Sequence, residues 1–398
     1  MITLTSTGPS TRARRAACAL AVVATIAGCS STAGEPTAPS SAAPHLDTGG
    51  FATSARTITA STRDRKALEM QRMFTTMPVV TDIVPSMTYI RAVHNAAGES
   101  VADAFGSGVA AATKASKFGN FVAYGDSAEA GASSHEFIVA LMRMPSAEEA
   151  TAAATAPSVL AADTPPSDQS PTPKTPLPLA GQPSATAYSK TTNGKTSVTA
   201  LLPAGRLLIA VRTSIDDGPS VTTRFLTEQV AALRGFTPTP DDRLGSLPTD
   251  SDGVRSLTLA HPTPADGTLF TDGWATARGL LNQVERPART RTDVADAGVD
   301  VVGLGASNVY RARDAAGATL LAGRLVAAYR QDSAGSSVST VDGVPGATCV
   351  TATKDRSAQG HCVVPVGRYV GEYTSRQPAK SAQAIAAQYL ILRSAPQR

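Results

Sequence analysis

The chain has 398 residues, of which 42% are hydrophobic and 17% charged, and its formal net charge is +4. These values are ordinary for a folded protein, and at about 150 residues per domain the length predicts two or three domains. A nucleic-acid partner would need a basic patch, but no Lys/Arg-rich run follows the first 15 residues. We therefore expect no nucleic-acid binding.

The N-terminus predicts export and lipid anchoring. Arginines within the first 15 residues precede an apolar run over 16–27, which leads into Gly28-Cys29. A positively charged region, a short apolar region and small residues before a cysteine are typical of a bacterial lipoprotein signal peptide. The apolar run has about 12 residues, whereas a membrane-spanning helix needs about 20. We predict cleavage between Gly28 and Cys29 and lipidation of Cys29.

The predicted signal peptide covers residues 1–28, and a disordered tether covers residues 29–44. The tether is rich in Ser, Ala and Pro and cannot bury enough apolar surface to fold. Loss of Arg12, Arg14 and Arg15 reduces Lys+Arg from 36 to 33, against 32 Asp+Glu. The mature net charge is thus near +1, which does not support attraction to anionic lipids. The expected location is the outer face of the cell membrane.

The remaining sequence divides into two modules. We predict an N-terminal module over 45–236, a Pro/Asp-rich linker over 237–253 and a C-terminal module over 254–398. Hydrophobic periodicity gives the elements within them. The predicted helices are 62–77, a helix that Ser146 caps, 219–234 and 273–284. The predicted strands are 88–94, 137–144, 185–190, 196–202, 206–213 and 255–260. Residues 157–178 predict an exposed proline-rich loop, and 96–120 follow no clear pattern.

The C-terminal module repeats the N-terminal one. Residues 181–206 match 343–368 without a gap, with the Gly-x-Pro at the start of each block and the Pro-x-Gly-Arg at its end in register. The match continues outside this block at Arg143 with Arg311, Ser146 with Asp314, and Gln229 with Gln388. The pattern therefore predicts the same order of elements in each half: a strand, a helix, a loop, three strands and a helix. This pattern predicts an α+β fold of two similar halves with mostly antiparallel sheets.

Two thiols remain after signal cleavage and lipidation. The duplication aligns Cys349 with Ala187 and, across the same hairpin, Cys362 with Ala200. The two alanines face each other on either side of an Asn-Gly turn, at a non-hydrogen-bonded pair where backbones come closest. An exported protein meets an oxidising environment. We predict a structural cross-strand disulfide between Cys349 and Cys362.

Five stretches carry a resemblance to a known family: 46–49, Arg56, 247–253, 297–300 and 309–316. They resemble an uncharacterised lipoprotein family of actinobacteria, of the mycobacterial and nocardial type. The resemblance implies an exported, lipid-anchored protein with N- and C-terminal modules. It implies no activity.

Three short motifs resemble known sites of chemistry, but each is incomplete. Gly98-Glu99-Ser100-Val101-Ala102 resembles a nucleophile elbow, but Ala replaces the last Gly and no strong strand precedes it. Asp250-Ser251-Asp252-Gly253 resembles the start of a calcium loop without the later ligands, so a turn is expected. Gly303-Leu304-Gly305 lacks the third glycine of a dinucleotide site. We expect no catalytic residue and no cofactor.

The histidines and the single tryptophan give no stronger signal. None of His94, His135, His261 and His361 is spaced for metal coordination with another ligand. His135 is expected to be solvated, His361 to point away from Cys362, and Trp274 to pack against the helix that it begins. We therefore predict no metal site.

The expected function is binding without catalysis. Because pockets favour domain interfaces, we expect a small or lipidic ligand in a cleft between the two modules. An alternative is a scaffold lipoprotein that docks an envelope protein, which an exposed apolar patch would indicate. A second alternative is a hydrolase without a recognisable motif, which needs a nucleophile within hydrogen-bond reach of a base.

Overall fold

Two antiparallel sheets, one in each half of the chain, form the framework of the computed structural model. The structure describes residues 46–59, 61–127, 133–163, 171–261, 272–354 and 357–397. The predicted signal peptide, Cys29 and the tether lie outside the described residues. No helix in the described part is both long and apolar enough to cross a membrane.

The first sheet has seven strands in the spatial order β1-β2-β3-β7-β6-β5-β4. Its strands are β1 (Tyr89–Asn95), β2 (Phe118–Gly125), β3 (Glu136–Arg143), β4 (Thr175–Pro176), β5 (Thr186–Thr192), β6 (Lys195–Ala204) and β7 (Leu207–Thr213). Strands β2, β3 and β7 are apolar almost throughout, since helices or loops cover both faces of the sheet centre.

The second sheet has seven strands in the order β11-β12-β13-β14-β10-β9-β8. Its strands are β8 (Gly273–Thr276), β9 (Val301–Leu304), β10 (Asn308–Arg311), β11 (Ser337–Thr340), β12 (Thr348–Lys354), β13 (Ser357–Val366) and β14 (Tyr369–Ser375). Read from β8, this order is that of the first sheet. The α+β fold of two similar halves is therefore confirmed.

The strand registers also repeat. Ala187 faces Ala200 across β5 and β6, and Cys349 faces Cys362 across β12 and β13. The cysteines form the predicted disulfide. The disulfide therefore joins two paired strand positions whose counterparts in the first sheet are paired in the same register.

Helices cover the sheets. They are α1 (Thr62–Thr76), α2 (Val80–Ile83), α3 (Glu99–Phe105), α4 (Ser107–Thr113), α5 (Ala147–Ala154), α6 (Pro157–Leu160), α7 (Gly218–Leu233), α8 (Ala277–Leu280), α9 (Pro287–Ala297), α10 (Ala315–Gln331) and α11 (Pro378–Arg393). The predicted caps are present: the Ser146 side chain accepts from Glu149 N, and the Asp314 side chain accepts from Gly317 N. In each half a long C-terminal helix, α7 or α11, packs on one face of the sheet.

Two predicted elements are wrong. Residues 255–260 form turns, because the Asp250 carboxylate accepts from the backbone N–H groups of Arg255 and Ser256 and folds the segment back. The predicted helix 273–284 begins as strand β8, whose Trp274 pairs with Gly303, and is helical only over α8. An amphipathic pattern that spans a short strand and one helical turn looks like a single helix.

The two unclear segments contain regular structure. Helices α3 and α4 and the start of β2 lie within residues 96–120. The predicted loop 157–178 includes helix α6 and the two-residue edge strand β4, while residues 164–170 lie outside the described part.

Candidate functional site

The two halves meet where α1 packs against α8 and β8, a contact that we call the seam. At one point two side-chain amides face each other: Gln71 Nε2 lies 2.9 Å from Gln283 Oε1, and Gln283 Nε2 lies 2.7 Å from Gln71 Oε1. On the edge of the first sheet, the backbone N–H of Ile90 donates to the carbonyl of Glu285 at 2.8 Å. The seam is therefore hydrogen-bonded on both side-chain and backbone groups.

Asn282 is the central buried residue of the seam. Its Nδ2 donates to the carbonyls of Phe74 and Met77, at 3.3 and 3.0 Å, where α1 ends. Its Oδ1 accepts from the hydroxyl of Tyr124 at 2.5 Å. Burial raises the pKa of Tyr124 well above its ordinary value, so the phenol stays protonated and keeps donating. This part of the seam is closed by satisfied polar groups.

A charged contact continues the seam on its other side. Arg255, which is 2% exposed, donates to Asp64 at 3.0 Å and to Asp272 at 3.1 Å. Arg56 also binds Asp272, and its backbone N–H donates to the carbonyl of Ser256 at 2.9 Å. Residues of the predicted N-terminal module thus contact the C-terminal half through ion pairs that are partly shielded from water.

The exposed rim of the seam carries a group of charged side chains that we call the seam arginine cluster. It contains residues from both halves: Asp82 on α2, Arg224 and Glu228 on α7, Arg278 on α8 and Arg291 on α9. Arg291 binds the Asp82 carboxylate with both terminal nitrogens. Arg224 pairs with Glu228 at 3.2 Å and also reaches the carbonyls of Asp82 and Ile83.

Arg278 differs from the other two arginines of the cluster. Its Nη2 donates to the carbonyl of Met77 at 3.1 Å, and within the described part of the chain it forms no ion pair. Partial burial and the positive charge of Arg291 lower its pKa, although Asp82 and Glu228 oppose this effect. The cluster therefore has three cations against two carboxylates, and Arg278 is the cation with unused donors.

The sequence motifs serve local structure. The Ser100 hydroxyl donates to the carbonyls of Asn95 and Ala97, at 3.1 and 2.9 Å, near the start of α3. Asp250 holds the turn described above, as expected for that motif. Gly303 lies in β9, where an added Cβ would meet the carbonyl of Val254. These residues are not brought together.

The histidines are also separated. His94 stacks on Phe121 with ring centroids 4.0 Å apart, and His135 Nδ1 lies 3.1 Å from Asp126 Oδ2, so His135 is paired as well as partly exposed. His361 stacks on Tyr329. Trp274 lies in β8, not on a helix as predicted, and its Nε1 donates to the carbonyl of Pro248 at 3.1 Å.

Among the residues that the structure covers, no group of three or more His, Cys, Asp or Glu side chains is arranged to hold a metal ion. The prediction of no metal site concerns the whole chain and stays a prediction.

The C-terminal half contains a buried carboxyl that no sequence motif indicates. Glu372 on β14 is 7% exposed, and its Oε2 accepts from Tyr310 OH at 2.8 Å and from Asn308 Nδ2 at 3.0 Å. The Tyr329 hydroxyl on α10 contacts its other oxygen, and His361 stacks on the Tyr329 ring. Burial raises the pKa of Glu372. We call these five residues the Glu372 cluster.

The signal that marks this cluster is an acid at an inward position of an alternating strand. Along β14, Tyr369 and Tyr373 face α11, whereas Val370 and Glu372 face α10. A carboxyl at a position that the pattern assigns to the core needs partners. No comparable signal exists for the seam arginine cluster, because its members are far apart in sequence and each looks like a surface charge.

Residues 56–249 match a family model described as the N-terminal domain of unknown function DUF7373, and residues 261–395 match its C-terminal counterpart. The chain carries both domains of the DUF7373 family. The predicted arrangement of two modules of unknown function is thus shown. The DUF7373 description supplies no activity.

Comparison with solved structures gives a weak likeness to the extracellular domain of PknH from Mycobacterium tuberculosis. The TM-score is 0.31 at 11% identity, and the match covers 42% of this chain and 97% of that chain. A likeness at this level indicates neither a shared fold nor a shared function. No curated protein sequence matches the chain.

Proposed function

We propose that this DUF7373 protein is an exported, lipid-anchored protein of the cell envelope that binds rather than catalyses. Its ligand is a small or lipidic molecule with an anionic group, held where the two similar halves meet. Anchoring follows from the signal-like N-terminus and the cysteine at position 29. Binding between the halves follows from the preference of ligand sites for domain interfaces.

The observation that carries the proposal is the seam arginine cluster. Helices from both halves contribute to it, and Arg278 has donors that no carboxylate in the described chain uses. A guanidinium presents a planar fork that matches carboxylate and phosphate oxygens. The buried seam is filled by Asn282 and its partners. We therefore propose the exposed rim, instead of a deep cleft, as the ligand site.

The geometry around Ser100 favours binding over catalysis. A nucleophilic serine needs a base within hydrogen-bond reach, whereas the Ser100 hydroxyl donates to two backbone carbonyls. The hydroxyl of Thr374 does lie 2.9 Å from His361 Nδ1, but both belong to neighbouring strands over the packed face of the second sheet. This contact fits a cross-strand structural pair.

Native mass spectrometry tests the proposal on protein purified from its host's envelope fraction, after the acylated N-terminus is clipped off. We expect an excess mass that denaturation releases. Arg278→Gln should lose it, while the matched control Arg313→Gln, an exposed arginine before α10, should keep it. A clean apo mass for the wild type, or an excess mass retained by Arg278→Gln, would overturn the seam site and direct the search to protein partners.

A titration gives the size of the effect. Inorganic phosphate serves as the probe, and binding is followed by calorimetry. A charge-assisted hydrogen bond contributes about 1.5–3 kcal/mol, so Arg278→Gln should weaken phosphate binding by roughly tenfold to hundredfold. Equal affinities for wild type, Arg278→Gln and Arg313→Gln would contradict a site at the seam.

A further inference from the structure

The exposed charges in and just before α11 are all positive, although the mature chain is nearly neutral. Residues 373–397 contain Arg376, Lys380 and Arg393 and no Asp or Glu. All three cations are exposed, and none forms an ion pair with a residue in the described ranges. Salt screens electrostatic attraction to a membrane beyond about one Debye length, roughly 8–10 Å. The local excess of positive charge therefore affects membrane binding more than the net charge of the chain does.

The first described residues of the chain cross this side of α11. The Asp47 carboxylate accepts from Gln383 Nε2 at 3.0 and 3.2 Å. The Phe51 ring lies edge-on to Tyr373, with centroids 5.6 Å apart, and Lys380 Nζ lies 6.0 Å from its centre. The point at which the chain enters the folded domain is thus fixed on the positively charged side.

A depression of about 320 Å³ lies beside the last turn of α11. It is lined by Thr53 from the N-terminal stretch and by Leu390, Arg393 and Ser394 from the helix end. The guanidinium of Arg393 lies over the half-buried Tyr389 ring, 5.4 Å from its centre. One cation, two hydroxyls and a leucine suit a phosphate group attached to an apolar molecule.

We propose that this side of α11 docks on the anionic phospholipid headgroups of the membrane that carries the protein. The inference rests on the proposed lipid anchor. Residues 30–45 connect Cys29 to Leu46 and include the tether predicted from the sequence, and sixteen residues of coil would have an end-to-end distance of roughly 20 Å. A lipid held at Cys29 therefore keeps the membrane surface close to the side of the domain where Leu46 packs.

The charges add a second attachment to the acyl chains. Stable anchoring generally combines acyl chains with a further lipid or a basic patch. A Lys or Arg near an anionic leaflet strengthens binding by about fivefold. Asp47 is the one acid in the stretch 46–56 and offsets part of this gain. The docked surface consists of Arg376, Lys380, Arg393 and the depression.

Vesicle sedimentation of the full mature chain with Cys29→Ser tests docking without acylation. The vesicles are phosphatidylcholine with or without phosphatidylglycerol. We expect binding only when phosphatidylglycerol is present and at low salt. The variant Arg376→Gln/Lys380→Gln/Arg393→Gln should bind tenfold to hundredfold more weakly. The control Lys114→Gln/Arg234→Gln/Arg313→Gln removes the same charge from exposed positions elsewhere and should bind like the parent.

Equal binding of the two triple variants, or equal binding to both kinds of vesicle, would overturn the docking proposal. Thermal unfolding of both variants excludes a loss of fold as the cause. The anchor is tested separately by the mass of the N-terminal peptide from the host's protein. An unmodified Cys29 would refute the anchor, while the vesicle result would still decide whether α11 binds anionic lipid.

Discussion

The two halves share one strand order and one register but differ in what the register positions hold. In the first sheet Ala140 faces Ala210 across β3 and β7. At the corresponding place in the second sheet Asn308 faces Glu372. The N-terminal half therefore has an apolar core at a position where the C-terminal half has a buried carboxyl.

This difference shows what a duplicated framework permits. Met142 in β3 corresponds to Tyr310 in β10, and both are buried. The second sheet tolerates a buried carboxyl at this position because Tyr310 and Asn308 donate hydrogen bonds to it. A half-satisfied cluster would destabilise the core. Glu372, Tyr310 and Asn308 therefore act as one hydrogen-bonded unit, in which the loss of one member leaves the others unsatisfied.

A second difference concerns an arginine that both halves keep. Arg143 ends β3 and faces Leu207, and Arg311 ends β10 and faces Tyr369. Arg143 is fully buried and binds Glu69, which is also fully buried. Arg311 binds Asp300 and Asp252, whose carboxylates are 52% and 71% exposed. One register position thus holds an internal ion network in one half and a surface ion pair in the other.

The largest expected effect follows from this pair of arginines. Arg143→Met removes the hydrogen bonds of a buried guanidinium to Glu69, Asp241 and the Thr239 carbonyl, while Glu69 keeps Arg72 as an ion-pair partner. Because several charge-assisted hydrogen bonds are lost together, the variant should lose about 3–5 kcal/mol of stability. Arg311→Met removes a contact whose carboxylates remain solvated, so the loss should be about 1 kcal/mol. Urea unfolding of the two variants measures both values. Equal losses would mean that the two positions are energetically alike despite their different burial.

The disulfide is the next largest difference between the halves. Cys349 and Cys362 are 13 positions apart, and closing a loop of about that length contributes about 3 kcal/mol in the chain-entropy description. Cys349→Ser/Cys362→Ser should lose that stability, and added reductant should have no further effect on it. Unfolding in the presence and absence of reductant measures the change.

The first sheet offers a gain-of-function control for the disulfide. Ala187 and Ala200 occupy the same paired positions, so Ala187→Cys/Ala200→Cys should oxidise to a second disulfide. Thiol titration of the denatured protein measures whether the new thiols have reacted. Free thiols at these positions after oxidation would show that the two hairpins are not equivalent in geometry.

The hairpin and the duplication could be predicted from the sequence because their signals are local or repeated. The Asn193-Gly194 turn fixes one register, and the gap-free match transfers it to Cys349 and Cys362. The caps Ser146 and Asp314 follow from side-chain oxygens placed before a helix. In each case a few residues within one segment decide the structure.

The errors and omissions have a different origin. Residues 255–260 form turns because of the Asp250 carboxylate, which an apolar pattern does not reveal. The seam arginine cluster depends on α2, α7, α8 and α9 meeting at one rim, which no single segment encodes. A local side-chain-to-backbone hydrogen bond decides the first case, and tertiary contacts decide the second. The Glu372 cluster lies between these two groups. The alternating pattern of β14 assigns its acid to a core position, although the partners of that acid come from other segments.

The smallest expected effect is a pH dependence of the unfolding free energy. It comes from titratable groups in the C-terminal half, and the apolar positions that correspond to Glu372 in the N-terminal half have no such group. Burial raises the pKa of Glu372 above 4.5, so the folded protein keeps a proton that the unfolded chain loses. The resulting stabilisation is present below pH 4.5 and is lost as the pH rises through the raised pKa. Burial lowers the pKa of His361 from 6.5 to about 4. Its contribution is present above pH 6.5 and is lost as the pH falls toward about 4.

Glu372→Gln keeps an acceptor for Tyr310 but does not titrate. The unfolding free energy of the wild type minus that of Glu372→Gln should therefore decline as the pH rises from 4.5, by at most about 1.4 kcal/mol per pH unit. His361→Asn should instead remove the loss of stability between pH 6.5 and 4. A pH-independent difference for Glu372→Gln would mean that folding does not shift the pKa of Glu372, so that the group is charged in the folded protein at neutral pH. The second sheet would then contain a buried carboxylate, with Tyr310, Asn308 and Tyr329 serving as its donors.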